Sequence, residues 1–143
     1  MSSNIDLVIF GARGDLARRK LLPALFQLHK AGLLADSVRI AAVAREALDT
    51  AGFIADTLKL LKGENVDNDF DEKAWQGFSR RLTYIKIDFA QKKEFLALKD
   101  WIVEKRTLIY YLATPPSLFG SISRHLHDAN CVDATSRIVL EKP

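Results

Sequence analysis

Gly11 and Gly14 stand three residues apart, and the small Ala17 follows at the same interval. The apolar run Leu7–Phe10 stops at Gly11, and a helical pattern starts a few residues later. Glycines let a backbone come close to a ligand. The start of a helix offers unpaired N–H groups and a partial positive charge. A strand, a glycine turn and a helix N-terminus in that order therefore suit a diphosphate. The Gly-x-x-Gly-x-x-Ala spacing is a variant of the dinucleotide fingerprint, whose meaning rests on that strand-before, helix-after context. A tight turn between strand and helix with no ligand has the same local pattern. A P-loop does not fit, because neither glycine is followed by a lysine and a hydroxyl residue.

The end of the second apolar run decides which dinucleotide. An acidic residue there holds the ribose 2′-hydroxyl of NAD, whereas an arginine accommodates the 2′-phosphate of NADP. The run ends Val43-Ala44-Arg45-Glu46. Arg45 holds the deciding place, and its planar fork matches phosphate. Arg13, inside the glycine turn, can approach the same phosphate. Glu46 is chemically opposed, and reads as a surface residue or a partner to Arg45. The expectation is NADP, against the alternative that Arg45 is a solvated charge.

A fourth apolar run leads into Ala113-Thr114-Pro115-Pro116, whose prolines hold an extended exit. Such an exit suits packing beside a nicotinamide ring or ribose, or is simply a rigid loop with Ser117 capping the next helix. Lys142 follows the last apolar run and reads equally as a phosphate or hydroxyl ligand and as a terminal charge. His125 and His127 are two apart on a helical stretch, so they do not share a face and suggest no metal site. No nucleophile–base–acid set is visible. The Tyr-x-x-x-Lys pair of short-chain dehydrogenases is missing too: Tyr84, Tyr110 and Tyr111 are followed four residues later by Asp88, Thr114 and Pro115.

Positioning these residues requires strands that end along one edge. Short apolar runs at Leu7–Phe10, Val38–Ala44, Leu82–Ile87, Leu108–Ala113 and Ile138–Leu140 read as strands buried on both faces. Amphipathic stretches at about Asp15–Ala31, Asp49–Lys62, Glu72–Arg80, Lys92–Glu104 and Ser117–Ala129 read as helices. The order β-α-β-α-α-β-α-β-α-β predicts an α/β, Rossmann-like, doubly wound parallel sheet between two helical layers, with the ligand edge at the strand C-termini. Gly32 is placed to end the first helix, and Pro23 predicts a kink or a displaced first turn. Gly63–Asp71 reads as a polar loop, Trp101 as core, and Arg18-Arg19-Lys20 as a solvated helix face.

The 143 residues, 48% hydrophobic and 27% charged, suit one globular domain. A net charge of +3 suits anionic small ligands without indicating nucleic acid. One cysteine, Cys131, rules out an internal disulfide and fits a reducing compartment. No apolar run approaches the ~20 residues that span a membrane, and no secretory signal is visible, so the expectation is a cytoplasmic protein without membrane contact. Glu141-Lys142-Pro143 directly follows the last strand, which predicts a piece whose sheet is incomplete.

The ordered motifs then become specific. Gly11-Ala12-Arg13-Gly14-Asp15-Leu16-Ala17-Arg18-Arg19-Lys20 resembles the G-A-S/K-G-D-L-A-K/R-K/R-K motif of glucose-6-phosphate dehydrogenases. Ala44-Arg45 is similar to the end of that family's second strand. Tyr111–Pro116 resembles its Y-L/F-A-x-P-P, and Glu141-Lys142-Pro143 the start of its E-K-P-F/L-G. The resemblance covers residues 5–143, and the basic Arg13 brings it nearer the bacterial branch.

It implies oxidation of glucose 6-phosphate to 6-phosphogluconolactone with NADP, the entry step of the pentose phosphate pathway. By position it implies coenzyme contacts from Gly11, Ala12, Arg13, Gly14, Asp15, Leu16, Arg45, Ala113, Thr114, Pro115 and Lys142. Lys142 and Lys20 fall toward the substrate, with Pro143 shaping the hinge between the sites. The family's chains are about three times longer than one such domain. Their catalytic histidine–aspartate pair and most homodimer or homotetramer contacts follow the E-K-P motif. The resemblance therefore implies a truncated coenzyme domain over residues 1–143 with no catalytic residue, inactive alone. The alternative is a non-catalytic dinucleotide-binding fragment.

Overall fold

A computed structural model describes residues 4–63 and 70–140. Lys142, its neighbours Glu141 and Pro143, and residues 64–69 of the expected polar loop lie outside them. Five strands, β1 (Ile5–Phe10), β2 (Arg39–Ala44), β3 (Leu82–Lys86), β4 (Thr107–Leu112) and β5 (Arg137–Leu140), form one parallel sheet in the order β3-β2-β1-β4-β5. Every pair is parallel, and the register aligns the strand ends. Phe10 sits opposite Val43 and Leu112, Val43 opposite Ile85, and Leu112 opposite Leu140. The chain winds one way from β1 through β2 to β3 and the other way through β4 to β5. The crevice between β1 and β4 is thus the switch point where such sheets bind ligands.

Alternation along the strands feeds two cores. Ile9, Ile40, Ala42 and Tyr84 face α1 (Leu22–Lys30), α2 (Thr50–Gly63) and α3 (Glu72–Ser79), where Phe26, Phe53, Trp75 and Phe78 are buried. Val8, Phe10, Val43 and Tyr110 face α4 (Phe95–Trp101) and α5 (Phe119–Asp128), with Phe95, Leu98, Ile122 and Leu126 buried there. Each of the large aliphatic and phenylalanine side chains among them contributes about 1.5–3 kcal/mol through burial. The small Ala41 and Ala42 of the interior strand β2 are fully buried, one in each core.

Local chemistry sets the helix ends. Gly32 takes φ +73°, its N–H donates to His29 O at 3.1 Å, and Leu33 N–H donates to Leu28 O at 2.9 Å. This left-handed stop satisfies the last carbonyls of α1. Asp49 and Asp71 accept from Gly52 N–H at 2.7 Å and Ala74 N–H at 2.9 Å, capping α2 and α3.

The expected disturbance at Pro23 takes the form of a π-helical turn over Ala17–Leu21, in which Leu22 N–H reaches back to Ala17 O. Pro23 then falls in the first turn of α1, where its missing N–H costs nothing.

Two expectations are corrected. Ser117 is not a cap: it lies inside a short 3₁₀ turn, Pro116–Leu118, and α5 starts after Leu118 with no side-chain cap. Pro115 and Pro116 lead into this 3₁₀ turn, so α5 begins at Phe119, one residue later than a Ser117 cap would start it. The fourth helix stops at Trp101 rather than Glu104, because Ile102 turns extended with ψ 134°. Trp101 packs half-buried on the core as expected, and its ring also carries the Arg39 guanidinium at 3.9 Å.

Polar residues stitch the opposite end of the sheet. Asp6 is fully buried yet accepts from Arg39 Nε at 3.0 Å and Arg106 Nε at 2.7 Å. Arg81 spends its fork on the carbonyls of Leu34, Ala35 and Val38, at 2.7–3.1 Å. Its Nε donates to His29 Nδ1 at 3.2 Å. Burial and the Arg81 charge together hold the His29 pKa below its ordinary value.

Candidate functional site

The turn after β1 is shaped by Gly11. It adopts φ +86°, and a Cβ there would lie 2.7 Å from Ala113 O and 3.0 Å from Thr114 Cγ2. Only glycine combines that backbone with so close an approach of the β4 exit. Gly11 and Ala12 donate their N–H groups to Val43 O at 2.9 and 3.1 Å, and Gly14 N–H donates to Gly11 O at 2.9 Å. The first helical bond is Arg18 N–H to Gly14 O at 3.1 Å. The preceding N–H groups, from Asp15 to Ala17, therefore form the open helix end.

A cavity of about 460 Å³ opens beside this turn. Gly11, Arg13 and Gly14 form one wall, and Ala44, Arg45 and Glu46 from the β2 exit form the second. Asp88–Ala90 after β3 and Ala113–Pro115 after β4, with Leu118, complete it. The volume is in the range of small-molecule sites.

Seven of the residues read from the sequence as coenzyme contacts line this cavity: Gly11, Arg13, Gly14, Arg45, Ala113, Thr114 and Pro115. Ala12 is instead wholly buried in the core beneath the turn. Asp15 and Leu16 start the helix outside the lining, and Asp15 pairs with Arg19 at 3.2 Å. Lys20 is exposed on the π-helical turn, also outside the lining.

The electrostatics were not legible in the sequence. Arg13 does not stand free: its Nη1 is bonded to Asp56 Oδ2, and its Nε lies 3.6 Å from Glu46 Oε2. Arg18 Nη1 shares the same Asp56 oxygen at 2.5 Å, so this arginine of the basic triplet is an ion-pair partner rather than part of a solvated face. Burial pushes the Asp56 carboxyl upward, but the hydrogen bond from Arg18 and the charges of Arg13 and Arg18 outweigh it, leaving the pKa below the ordinary carboxylate value.

Glu46 thus partners Arg13, not Arg45. Its backbone carbonyl accepts the Tyr84 hydroxyl at 2.7 Å, which fixes the β2 exit. Burial, with the Glu46 charge, raises the Tyr84 pKa. Arg45 is exposed at the cavity and makes no ion pair among the described residues.

Asp56 lies 43 positions from Arg13, and nothing in the local pattern marks it. The residues after β3 had a signal, since the rule that strand C-termini share the ligand edge applies to β3 as well. Phe89 is held there by its carbonyl, which accepts from His125 Nδ1 at 3.1 Å. Asp88 is exposed there, with Oδ1 accepting Ala90 N–H at 3.0 Å.

The residues fit a dinucleotide. Arg13 keeps a buried Nε with no hydrogen-bond acceptor, and Arg45 offers an uncommitted fork. The glycine turn sits at the open helix end, and apolar groups flank the β4 exit. No cluster of three or more metal-ligating side chains occurs among the described residues, and none of their helices is long and apolar enough to cross a membrane.

Comparison with known proteins assigns a family to this fold. The family model described as glucose-6-phosphate dehydrogenase, NAD binding domain, matches residues 8–143. Glucose-6-phosphate 1-dehydrogenase of Dickeya dadantii is 41% identical over 139 residues, covering 96% of this chain and 28% of that protein. The enzyme of Buchnera aphidicola from Schizaphis graminum is 40% identical over the same shares. The chain thus spans under a third of the length of these relatives. The crystal structure of glucose-6-phosphate 1-dehydrogenase from Mycobacterium avium superposes with TM-score 0.89 at 29% identity, covering 99% of this chain and 30% of that one. A glucose-6-phosphate dehydrogenase in complex with glucose 6-phosphate gives TM-score 0.85 at 29% identity, covering 99% and 31%.

Proposed function

The chain belongs to the glucose-6-phosphate dehydrogenase family as its NAD-binding domain, and on that premise we propose that it is the NADP-binding part of an enzyme that oxidises glucose 6-phosphate to 6-phosphogluconolactone. A nicotinamide dinucleotide is the coenzyme its family model implies. The observation carrying the finer reading is the uncommitted Arg45 fork at the β2 exit, beside the Gly11–Gly14 turn. In this reading the N–H groups at the helix start hold the diphosphate. Arg45, with Arg13, takes the 2′-phosphate. Ala113, Thr114 and Pro115 flank the nicotinamide side. Bound there, the coenzyme supplies a ring that accepts hydride.

The chain's own residues bind and orient. The fixed turn at Gly11 joins the diphosphate wall to the nicotinamide wall through its contact with Ala113. Lys142 and Lys20 are assigned to glucose 6-phosphate by position alone. No described residue is assigned proton abstraction, and the chain is read as a single coenzyme domain. Without a general base such a reaction loses about 10²–10⁴-fold.

Calorimetric titration of NADP and NAD into the chain tests the reading. Arg45→Ala is expected to weaken NADP binding about tenfold or more and NAD binding far less, because only NADP carries the 2′-phosphate. Equal losses would remove Arg45 from the site. The second reading is a dinucleotide-binding piece without catalysis. Incubation with glucose 6-phosphate and NADP separates the two: NADPH formation would place the reaction in this chain.

A further inference from the structure

Two carboxylates, not one, meet Arg13 at the coenzyme cavity. Asp56, on α2, binds Arg13 Nη1 and Arg18 Nη1 through one oxygen and sits outside the lining, so it anchors. Glu46 differs: it lines the cavity, its side chain is 47% exposed, and its Oε2 lies 3.6 Å from Arg13 Nε without a hydrogen bond. The Tyr84 hydroxyl pins the Glu46 backbone at 2.7 Å. That carboxylate therefore stays at the β2 exit, immediately after the arginine that faces a 2′-phosphate.

An ionised carboxylate only accepts hydrogen bonds. It repels a phosphate dianion and welcomes ribose hydroxyls, which is why an acidic residue at a β2 exit goes with NAD. This chain carries both chemistries side by side, Arg45 for one and Glu46 for the other.

We propose that Glu46 sets the coenzyme preference of this cavity: its carboxylate competes with the 2′-phosphate of NADP for Arg13 and accepts the ribose hydroxyls of NAD, so that the site takes both dinucleotides with a reduced preference for NADP. Asp56 is the positioning residue that holds Arg13 within reach of either partner. The proposal rests on the coenzyme reading given above. When NADP binds, Arg13 Nε exchanges the long contact with Glu46 for a phosphate oxygen. When NAD binds, the Arg13–Glu46 pair stays closed.

The test is the ratio of dissociation constants for NAD and NADP, measured by calorimetry on the chain and on Glu46→Gln. The glutamine keeps the size and removes the charge. The expected result is NADP binding tightened about tenfold, with NAD binding unchanged or weakened. Asp56→Asn is expected to weaken NADP by several-fold and leave NAD nearly unmoved, because only NADP uses the positioned Arg13. Glu46→Ala repeats the ratio measurement should the glutamine variant not fold, as judged by circular dichroism. An unchanged or lowered ratio in the variant that folds overturns the role of Glu46. If Arg45→Ala still selectively weakens NADP, the coenzyme reading survives that result. Absence of binding of either dinucleotide to the unaltered chain overturns both.

Discussion

Arginines around the glycine turn divide into those already paired and one that is not. Arg13 and Arg18 share Asp56, whereas Arg45 is uncommitted among the described residues. This division explains why single substitutions should differ in kind. Arg45→Ala changes ligand binding with little effect on stability, since an exposed unpaired charge contributes little to the fold. Asp56→Asn changes both. The folded-state pKa of Asp56 lies below its ordinary 3.8, so the stability it contributes is complete above that value and is lost as pH falls through the lowered folded-state pKa. Thermal melts of the unaltered chain are expected to decline on acidification below about pH 4, and the asparagine variant should show a shallower decline. Equal slopes would mean that the Asp56 cluster adds nothing to stability. Gly11→Ala belongs at this scale too. The φ of +86° and the 2.7 Å approach to Ala113 O make it costly, by about 1–3 kcal/mol from backbone strain before any clash. Chemical denaturation measures this directly.

Among the elements, the three central strands are tied at both ends by different means. At the C-terminal end, the N–H groups of Gly11 and Ala12 donate to Val43 O and that of Ala113 donates to Phe10 O, at 2.9–3.1 Å. At the other end, Asp6 on β1 draws Arg39 of β2 and Arg106, just before β4, onto one buried carboxylate. Asp6→Ala takes the carboxylate from both guanidiniums, and breaking a buried pair from one side costs about 3–5 kcal/mol. A melting temperature within a degree or two of the unaltered chain would show that water reaches both arginines without penalty. The element boundaries show how far pattern reading extends. All five strands and all five helical stretches were legible from apolar periodicity, because each buries its face against the sheet. The π-helical turn before Pro23 was foreshadowed by the proline's missing N–H, but its form depends on how Ala17 and Leu22 seat in the core.

As a whole molecule, the sheet has a covered half and a bare strand. β3 is overlain by α2 and α4, whereas every residue of β5 is exposed, with Ile138 42%, Val139 39% and Leu140 53% accessible. A strand edge with apolar side chains outward is a template for pairing with another chain. The apparent molar mass of the purified chain, from light scattering, should rise with concentration, and Val139→Lys should suppress that rise. A concentration-independent apparent mass of the unaltered chain would show that β5 is protected in solution.

Cys131 is the only cysteine and is buried, with burial raising its thiol to about 11. Such a thiol is a weak nucleophile at neutral pH, and intermolecular disulfides are not expected to drive that association.

The sequence alone determined the α/β winding, the strand edge read as the ligand side and the residues that carry the family resemblance. These depend on local periodicity, on glycines at a forced turn, and on residues adjacent to strand ends. Tertiary structure alone decided the state of each charge. Arg13 and Asp56 are 43 residues apart in the chain, and Glu46 reaches Arg13 rather than its neighbour Arg45. The folded backbone brings those groups within ion-pair distance. Coulombic pairing falls with separation in space and is blind to separation in sequence.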